Sequence, residues 1–169
     1  MPAPFRIERL ADFPQYVDVI AGWQHAEFGY LDPMQALDER RAKLAESLCA
    51  GGVATTLIAL TADGTPVGSA SLQSKTLVLP NLSPWLSMVV TREPLRGRGI
   101  ASALSLAVVA EAKRLNFETI YLFTLEQESL YRRLGWKTIG AARIVERFAV
   151  VMSRPTELMS RGRFGIGSD

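Results

Sequence analysis

The sequence predicts a mixed α/β fold, and three observations carry that prediction. The elements do not alternate strictly: one strand and two helices precede a run of strands, and a helix, a strand, a short helix and two closing strands follow. That order excludes a doubly wound α/β fold. Asp63-Gly64, set between two β-rich runs, marks a hairpin. In mid-chain, a glycine-rich turn joins a strongly apolar strand to a long helical stretch.

The elements follow in order. Residues 5–10 alternate apolar and polar side chains and read as a strand. Asp12 is a candidate N-cap with Pro14 just inside, opening a helix to Phe28 that presents Phe13, Val17, Ile20 and Trp23 on one face. Asp32-Pro33 opens a second helix to about Leu48, closed by Gly51-Gly52, with Leu37, Leu44 and Leu48 on its apolar side. Its charged run Asp38-Glu39-Arg40-Arg41 reads as a solvated face. Residues 54–60 and 67–72 flank the hairpin turn, and a connection holding Pro80, Asn81 and Pro84 follows. Residues 85–91 form a buried central strand. A long helix spans 97–115, burying Leu104, Val108 and Leu115, and a strand covers 119–123. A short helix covers 128–134, stopped by Gly135, and strands at 136–140 and 147–152 close the domain.

At 169 residues the chain suits one domain, placed at 1–154, with a flexible Pro, Gly, Ser and Arg-containing tail at 155–169. With 48% hydrophobic and 21% charged residues, it has the material for a core and is not a disordered chain. The net charge of +2 gives no electrostatic argument for nucleic acid or an anionic membrane. Arg161-Gly162-Arg163-Phe164 and a pI near 8.9 are too little to build a nucleic-acid module. A lone cysteine, Cys49, cannot build an internal disulfide framework and fits a reducing compartment. One His and one Cys also argue against a structural metal site. No stretch approaches the roughly 18 apolar residues of a spanning helix, and the N-terminus lacks the apolar run of a signal peptide. The expectation is a cytoplasmic protein without membrane or nucleic-acid partners.

The most informative stretch runs from Trp85 through Arg96-Gly97-Arg98-Gly99-Ile100-Ala101-Ser102. A strand enters a glycine-rich turn that opens a helix, and such a turn is an anion site. Free N–H groups at the helix start point outward, and the helix dipole adds partial positive charge. Gly97 and Gly99 admit close approach of phosphate oxygens, Arg96 and Arg98 add charge, and Ser102 offers a hydroxyl. The nucleotide P-loop is excluded because no Gly-Lys-Ser/Thr is present. The dinucleotide fingerprint fails because Ser102 stands where a third Gly or Ala is needed. On the turn alone, an ordinary strand-to-helix connection with glycines for packing remains the competing reading.

Here the sequence resembles the GNAT superfamily of acetyl-coenzyme A-dependent N-acyltransferases. That family's phosphate loop, Arg/Gln-x-x-Gly-x-Gly/Ala, is matched by Arg96-Gly97-Arg98-Gly99-Ile100-Ala101. The late segment Ser129-Leu130-Tyr131-Arg132-Arg133-Leu134-Gly135-Trp136 resembles its Leu-Tyr and Gly-aromatic motif. The resemblance is strongest over 85–140. It implies a mostly antiparallel sheet of six or seven strands with a central splayed pair and about four flanking helices. It implies acetyl-coenzyme A as co-substrate, an amine acceptor and no metal. By resemblance, backbone N–H groups of Arg96, Gly97, Arg98, Gly99, Ile100, Ala101 and Ser102 would hold the pyrophosphate. Val89, Val90 and Thr91 would pair with the pantetheine arm, an N–H of Val89 or Val90 would polarise the thioester carbonyl, and Tyr131 would protonate the leaving thiolate.

The sequence also departs from the family. Thr124 stands where many relatives carry Asn, so one hydroxyl would meet the pantetheine, and Gln127 stands where a small residue is common. Trp85 occupies the position of a Glu base found in several relatives, and Glu93 replaces a frequent Pro. The segment Trp23-Gln24-His25-Ala26-Glu27-Phe28-Gly29-Tyr30 falls where relatives often cover the acceptor cleft. His25 or Glu27 is thus the candidate base or acceptor anchor, with Glu126 and Ser87 behind them. Trp23, Phe28, Tyr30 and Trp85 are candidate acceptor-pocket walls, with plain core packing as the competing reading. A non-catalytic acyl-coenzyme A binding domain of the same fold is the alternative function; retention of Tyr131 argues for the enzyme. Homodimers are common in the family, and the sequence leaves the pairing surface open.

Overall fold

The computed structural model describes residues 4–48 and 53–157. Seven strands form one sheet: β1 (Phe5–Arg9), β2 (Thr55–Thr61), β3 (Pro66–Gln73), β4 (Trp85–Thr91), β5 (Thr119–Thr124), β6 (Lys137–Ile144) and β7 (Arg147–Pro155). Their order is β1-β2-β3-β4-β5-β7-β6. Four helices pack on it: α1 (Val17–Phe28), α2 (Leu37–Ser47), α3 (Ile100–Arg114) and α4 (Glu128–Arg133). This is the mixed α/β class the sequence predicts.

Both faces of the sheet are covered, and β2 shows why. Side chains alternate across a strand, so Leu57 and Ala59 join the cluster under α3 while Ile58 and Leu60 join the cluster under α1 and α2. On α3, Ile100, Leu104, Val108, Val109 and Ala112 form the inward stripe. Each fully buried Leu or Val there contributes about 1.5–3 kcal/mol. The helix sits close enough that a Cβ at Gly68 of β3 would lie 2.9 Å from the Ile100 side chain and from the Val90 carbonyl oxygen. A third cluster, centred on Trp85, joins β4 to β5 and β7.

The chain enters α1 through two 3-10 turns, Leu10–Asp12 and Pro14–Tyr16, and Asp12 makes no capping bond. Val17, Ile20, Phe13 and Trp23 share one cluster as their spacing predicts. The second helix starts at Leu37, later than Asp32-Pro33 suggested. Asp32 has φ −139° and ψ 73°, in keeping with the steric bar that a following proline sets against helical backbone. Its predicted end at Gly51-Gly52 lies outside the described residues. The solvated reading of the 38–41 run fails at one position: Arg40 is 5% exposed. β6 runs to Ile144, beyond the expected end at residue 140, because it pairs with β7 along its length. Pro155 closes β7, and Thr156 hydrogen-bonds Glu118 and Phe117, so residues 155–156 belong to the fold. The remainder of the expected tail, 158–169, lies outside the described residues. Among the described residues no helix is long and apolar enough to cross a membrane.

Candidate active site

The sheet opens at its centre. β4 and β5 run parallel and are in register only at Trp85 and Tyr121, with the Tyr121 N–H donating to the Pro84 carbonyl at 3.0 Å. Beyond that point no further pairs form between them. On the other side of β4, Ser69 pairs with Val90 but Ser71 pairs with Ser87. β4 thus carries one extra residue, a bulge at Met88-Val89, where Met88 has φ +54°. A left-handed Met is uncommon and is held here by the strand pairing on both sides of it.

A cavity of about 620 Å³ fills the opening, a size typical of small-molecule sites. β4 lends it Leu86, Ser87, Met88 and Val89, and β5 and the loop after it lend Leu122 to Gln127. The α1–α2 region closes it with Glu27, Phe28, Tyr30, Asp32 and Arg40. The rim is tied down by Arg147, which pairs with Glu126 at 3.0 Å and donates to the Tyr30 hydroxyl at 3.5 Å. Inside, Ser87 donates to Gln73 at 2.8 Å.

Tyr131 lines this cavity from α4 and is 7% exposed. Its ring meets Trp136 edge-on, with centroids 6.1 Å apart. Burial pushes its phenol above the ordinary value near 10, while a hydrogen bond with Ser105 pulls the other way. The group therefore keeps its proton at neutral pH. Thr124 accepts a hydrogen bond from the Gln127 N–H at 2.9 Å, which leaves its own O–H free to donate toward the cavity it lines.

The glycine turn lies outside that cavity, on the surface past the end of β4. Gly97 and Gly99 both have φ +81°, which costs an L-residue roughly 1–2 kcal/mol and glycine nothing. No atom lies within 4 Å of a Cβ built on either one, so the backbone angle, not crowding, selects glycine there. Gly99 caps α3, and the Ala103 N–H bonds back to its carbonyl at 3.0 Å. The N–H groups of Gly99, Ile100, Ala101 and Ser102 are the ones a helix start leaves without intrahelical acceptors. Arg96 is held beside them by its own bond to the Thr91 carbonyl at 3.3 Å and by Glu27 at 3.4 Å.

The structure thus gathers Val89, Thr124, Gln127, Tyr131, Glu27, Phe28 and Tyr30 at one cavity, with Glu126 and Ser87. Val90 and Thr91 continue β4 out of it toward the glycine turn. Three of the candidates do not line the cavity. Trp85 is 0% exposed, donates to the Leu82 carbonyl at 2.7 Å and packs on Tyr121 and Phe123, so it is core. Trp23 packs with the cluster under α1 and α2. His25 is not among the cavity-lining residues; its Nδ1 is buried without a partner among the described residues, and its ring lies 3.4 Å from where a Cβ of Gly29 would be. Trp85 and Trp23 face the core because of the strand and helical phase of their elements.

Sequence reasoning missed Arg40, Asp32 and the Arg147 clamp. For Arg40 a signal existed: Leu37, Arg40 and Leu44 fall at i, i+3 and i+7, one helical stripe.

Comparison with known proteins agrees with this geometry. The family model described as "Acetyltransferase (GNAT) family" matches residues 17–136. No curated protein sequence matches the chain significantly. An aminoglycoside 6'-N-acetyltransferase solved with coenzyme A superposes with a TM-score of 0.71 at 15% identity, over 92% of this chain and 99% of that one. A spermidine N-acetyltransferase chimera from Vibrio cholerae and hSSAT gives 0.68 at 16%, over 90% and 96%. An acetyltransferase of the GNAT family from Staphylococcus aureus gives 0.66 at 14%, over 90% and 99%. At such identities the likeness establishes the fold. With the family match across most of the domain, the chain belongs to the GNAT family of acetyltransferases.

Proposed function

We propose that this protein moves an acetyl group from acetyl-coenzyme A to an amine, by direct attack within a ternary complex. One observation carries the reading: a bulged, splayed β4 leads from the Tyr131 cavity to a left-handed glycine turn at a helix start. That arrangement offers anion-binding N–H groups at one end, strand backbone along the middle and a proton donor at the other end.

The residues divide the work as follows. The Arg96 N–H, expected in this loop, already donates to the Glu93 carbonyl at 3.2 Å, so the N–H groups from Gly97 to Ser102 suit a pyrophosphate, with the Arg96 and Arg98 side chains adding charge. The edge of β4 that β5 leaves unpaired suits an amide-bearing arm, added like a strand, and the Thr124 hydroxyl suits one polar group of it. The bulge at Met88-Val89 leaves two residues out of step with β3, and an N–H there suits the carbonyl oxygen of a thioester. The thioester supplies the acyl group and a thiolate as leaving group. The amine nitrogen bonds to the carbonyl carbon, the C–S bond breaks, and Tyr131 gives its proton to the sulfur. The nitrogen loses one proton, which restores Tyr131 or passes to solvent. An acceptor that arrives as an ammonium gives up another first, and the carboxylates facing the cavity, Glu27, Asp32 and Glu126, are the groups available to take it.

Titration calorimetry with acetyl-coenzyme A, coenzyme A and 3'-dephospho-coenzyme A tests the donor side. Micromolar binding with a preference for the acetylated form is expected. Absence of binding at millimolar ligand would overturn the reading. Binding without acetylation of any amine in a broad panel would make the domain a binder and not an enzyme.

A further inference from the structure

Two arginines of the described chain are at least nine-tenths buried, and they are treated differently. Arg154 is 4% exposed and spends its donors on the Leu134 carbonyl at 2.7 Å and the Pro155 carbonyl at 3.1 Å. Arg40 is 5% exposed, and its one side-chain hydrogen bond among the described residues runs from Nη1 to the thioether sulfur of Met88, at 3.6 Å. Thioether sulfur is a weak acceptor. The Arg40 Nε has no partner, and no carboxylate among the described residues lies within ion-pair distance. The cations of the described ion pairs, by contrast, sit at the surface.

Such a group is expensive to keep. A buried charge requires a counter-charge and full hydrogen bonding. Burial lowers the Arg40 pKa from its ordinary value, and Asp32 across the cavity offsets only part of that. Its stripe neighbours Leu37 and Leu44 show that α2 has apolar solutions at equivalent positions. The guanidinium lines the cavity, beside the Met88 bulge where the thioester carbonyl is placed above. Lys43 lines the same side, while Glu27, Asp32 and Glu126 face the space from other elements. A planar fork of donors in that position matches a carboxylate, which it can take bidentately.

We infer that the acceptor is a small amine that also bears a carboxylate, of the amino-acid class, and that Arg40 is the residue that binds that carboxylate and sets specificity. The inference rests on the acetyltransferase reading above. It differs from that reading in predicting discrimination between acceptors, and not merely turnover. The carboxylate completes the pairing that Arg40 lacks, and the amine is left to reach toward the bulge and Tyr131. Amines without a carboxylate leave the guanidinium unpaired and lose that contribution.

The test is acetylation of amino acids against their primary amides and decarboxylated amines, alongside acetyl-coenzyme A titration. The wild type is expected to prefer acids at least tenfold in kcat/KM, through KM. Arg40→Met should bring the acid-to-amide ratio to about one, with acetyl-coenzyme A affinity within twofold of wild type. Its melting temperature should be unchanged or higher, since a buried unpaired charge is removed. Arg40→Lys should restore part of the ratio, because a point charge attracts the carboxylate without the fork. Equal handling of acids and amides by the wild type, no turnover of either included, overturns the inference while acetyl-coenzyme A binding keeps the donor side standing. A ratio preserved in Arg40→Met overturns it as well. Loss of acetyl-coenzyme A binding in the wild type overturns both readings at once.

Discussion

Gly97 and Gly99 do their work within one short turn, whereas Arg40, Asp32, Ser87 and Glu126 reach the cavity from α2, the segment before it, β4 and the loop after β5. The two sides of this site are made of different material. The turn offers main-chain N–H groups, and its requirement falls on consecutive residues: positive φ at two positions and a helix start after them. The cavity uses side chains whose meeting depends on the phase of each helix and the twist of the sheet. The first kind of site is written locally in a sequence. The second exists only after folding.

The largest effect expected tests the one side chain that both sides need. Tyr131→Phe should lower kcat at least tenfold and as much as 10²–10⁴-fold, the usual worth of a general acid, with acetyl-coenzyme A affinity retained. The pH dependence has a definite sign. Burial raises the Tyr131 pKa from its ordinary value near 10, so the acid form persists throughout neutral and moderately alkaline pH. Activity should rise with pH as the acceptor amine loses its proton, and fall only above about 10. That alkaline fall should be missing from Tyr131→Phe. A variant with unchanged kcat would place the proton donor elsewhere and leave the cavity as a binding site alone.

How far the sequence could be read follows the same divide. The fold class, the central strand and α3 were legible because their periodicities are strong and local. The shape of the glycine turn and the short helix that carries Tyr131 were legible because their neighbours in sequence are also their partners in space. The start of α2 was misplaced because Asp32-Pro33 reads as a helix opening, while the proline holds Asp32 outside helical backbone. Arg40 was misread because a four-residue charge run hides its phase: Asp38 and Glu39 point to solvent while Arg40 shares the stripe of Leu37 and Leu44. For Trp85 the core reading holds over the pocket-wall one, since an aromatic on a cleft strand need not face the cleft. Gly68 carries no sequence signal of the α3 side chains that press on it.

A smaller effect isolates the backbone. Gly99→Ala places a Cβ in open space, so nothing clashes, and only the left-handed angle is penalised. That penalty is roughly 1–2 kcal/mol, which corresponds to about 5–30-fold in affinity when the turn relaxes to avoid it. Acetyl-coenzyme A should bind that much more weakly, while the acid-to-amide preference set by Arg40 stays as in the wild type. Affinity unchanged within twofold would mean that the turn serves packing alone.

The smallest effect decides to which side Glu27 belongs. Its carboxylate faces the cavity and also pairs with Arg96 of the glycine turn at 3.4 Å. Both groups are about half exposed, so the pair itself is worth no more than about 1 kcal/mol. If Glu27 only tethers Arg96, Glu27→Gln frees that arginine for phosphate, and acetyl-coenzyme A should bind up to a few-fold more tightly at low salt with acceptor kinetics unchanged. If Glu27 instead receives the ammonium proton or anchors the amine, acetyl-coenzyme A affinity should hold and kcat/KM for the acceptor should fall, most steeply at low pH where more of the amine is protonated. Its position between the two sides favours the tether. The ion pair with Arg96, at 3.4 Å, is a contact that the tether reading uses and the base reading does not. A tenfold loss of acceptor kcat/KM in Glu27→Gln would reverse that assignment and give the cavity its base.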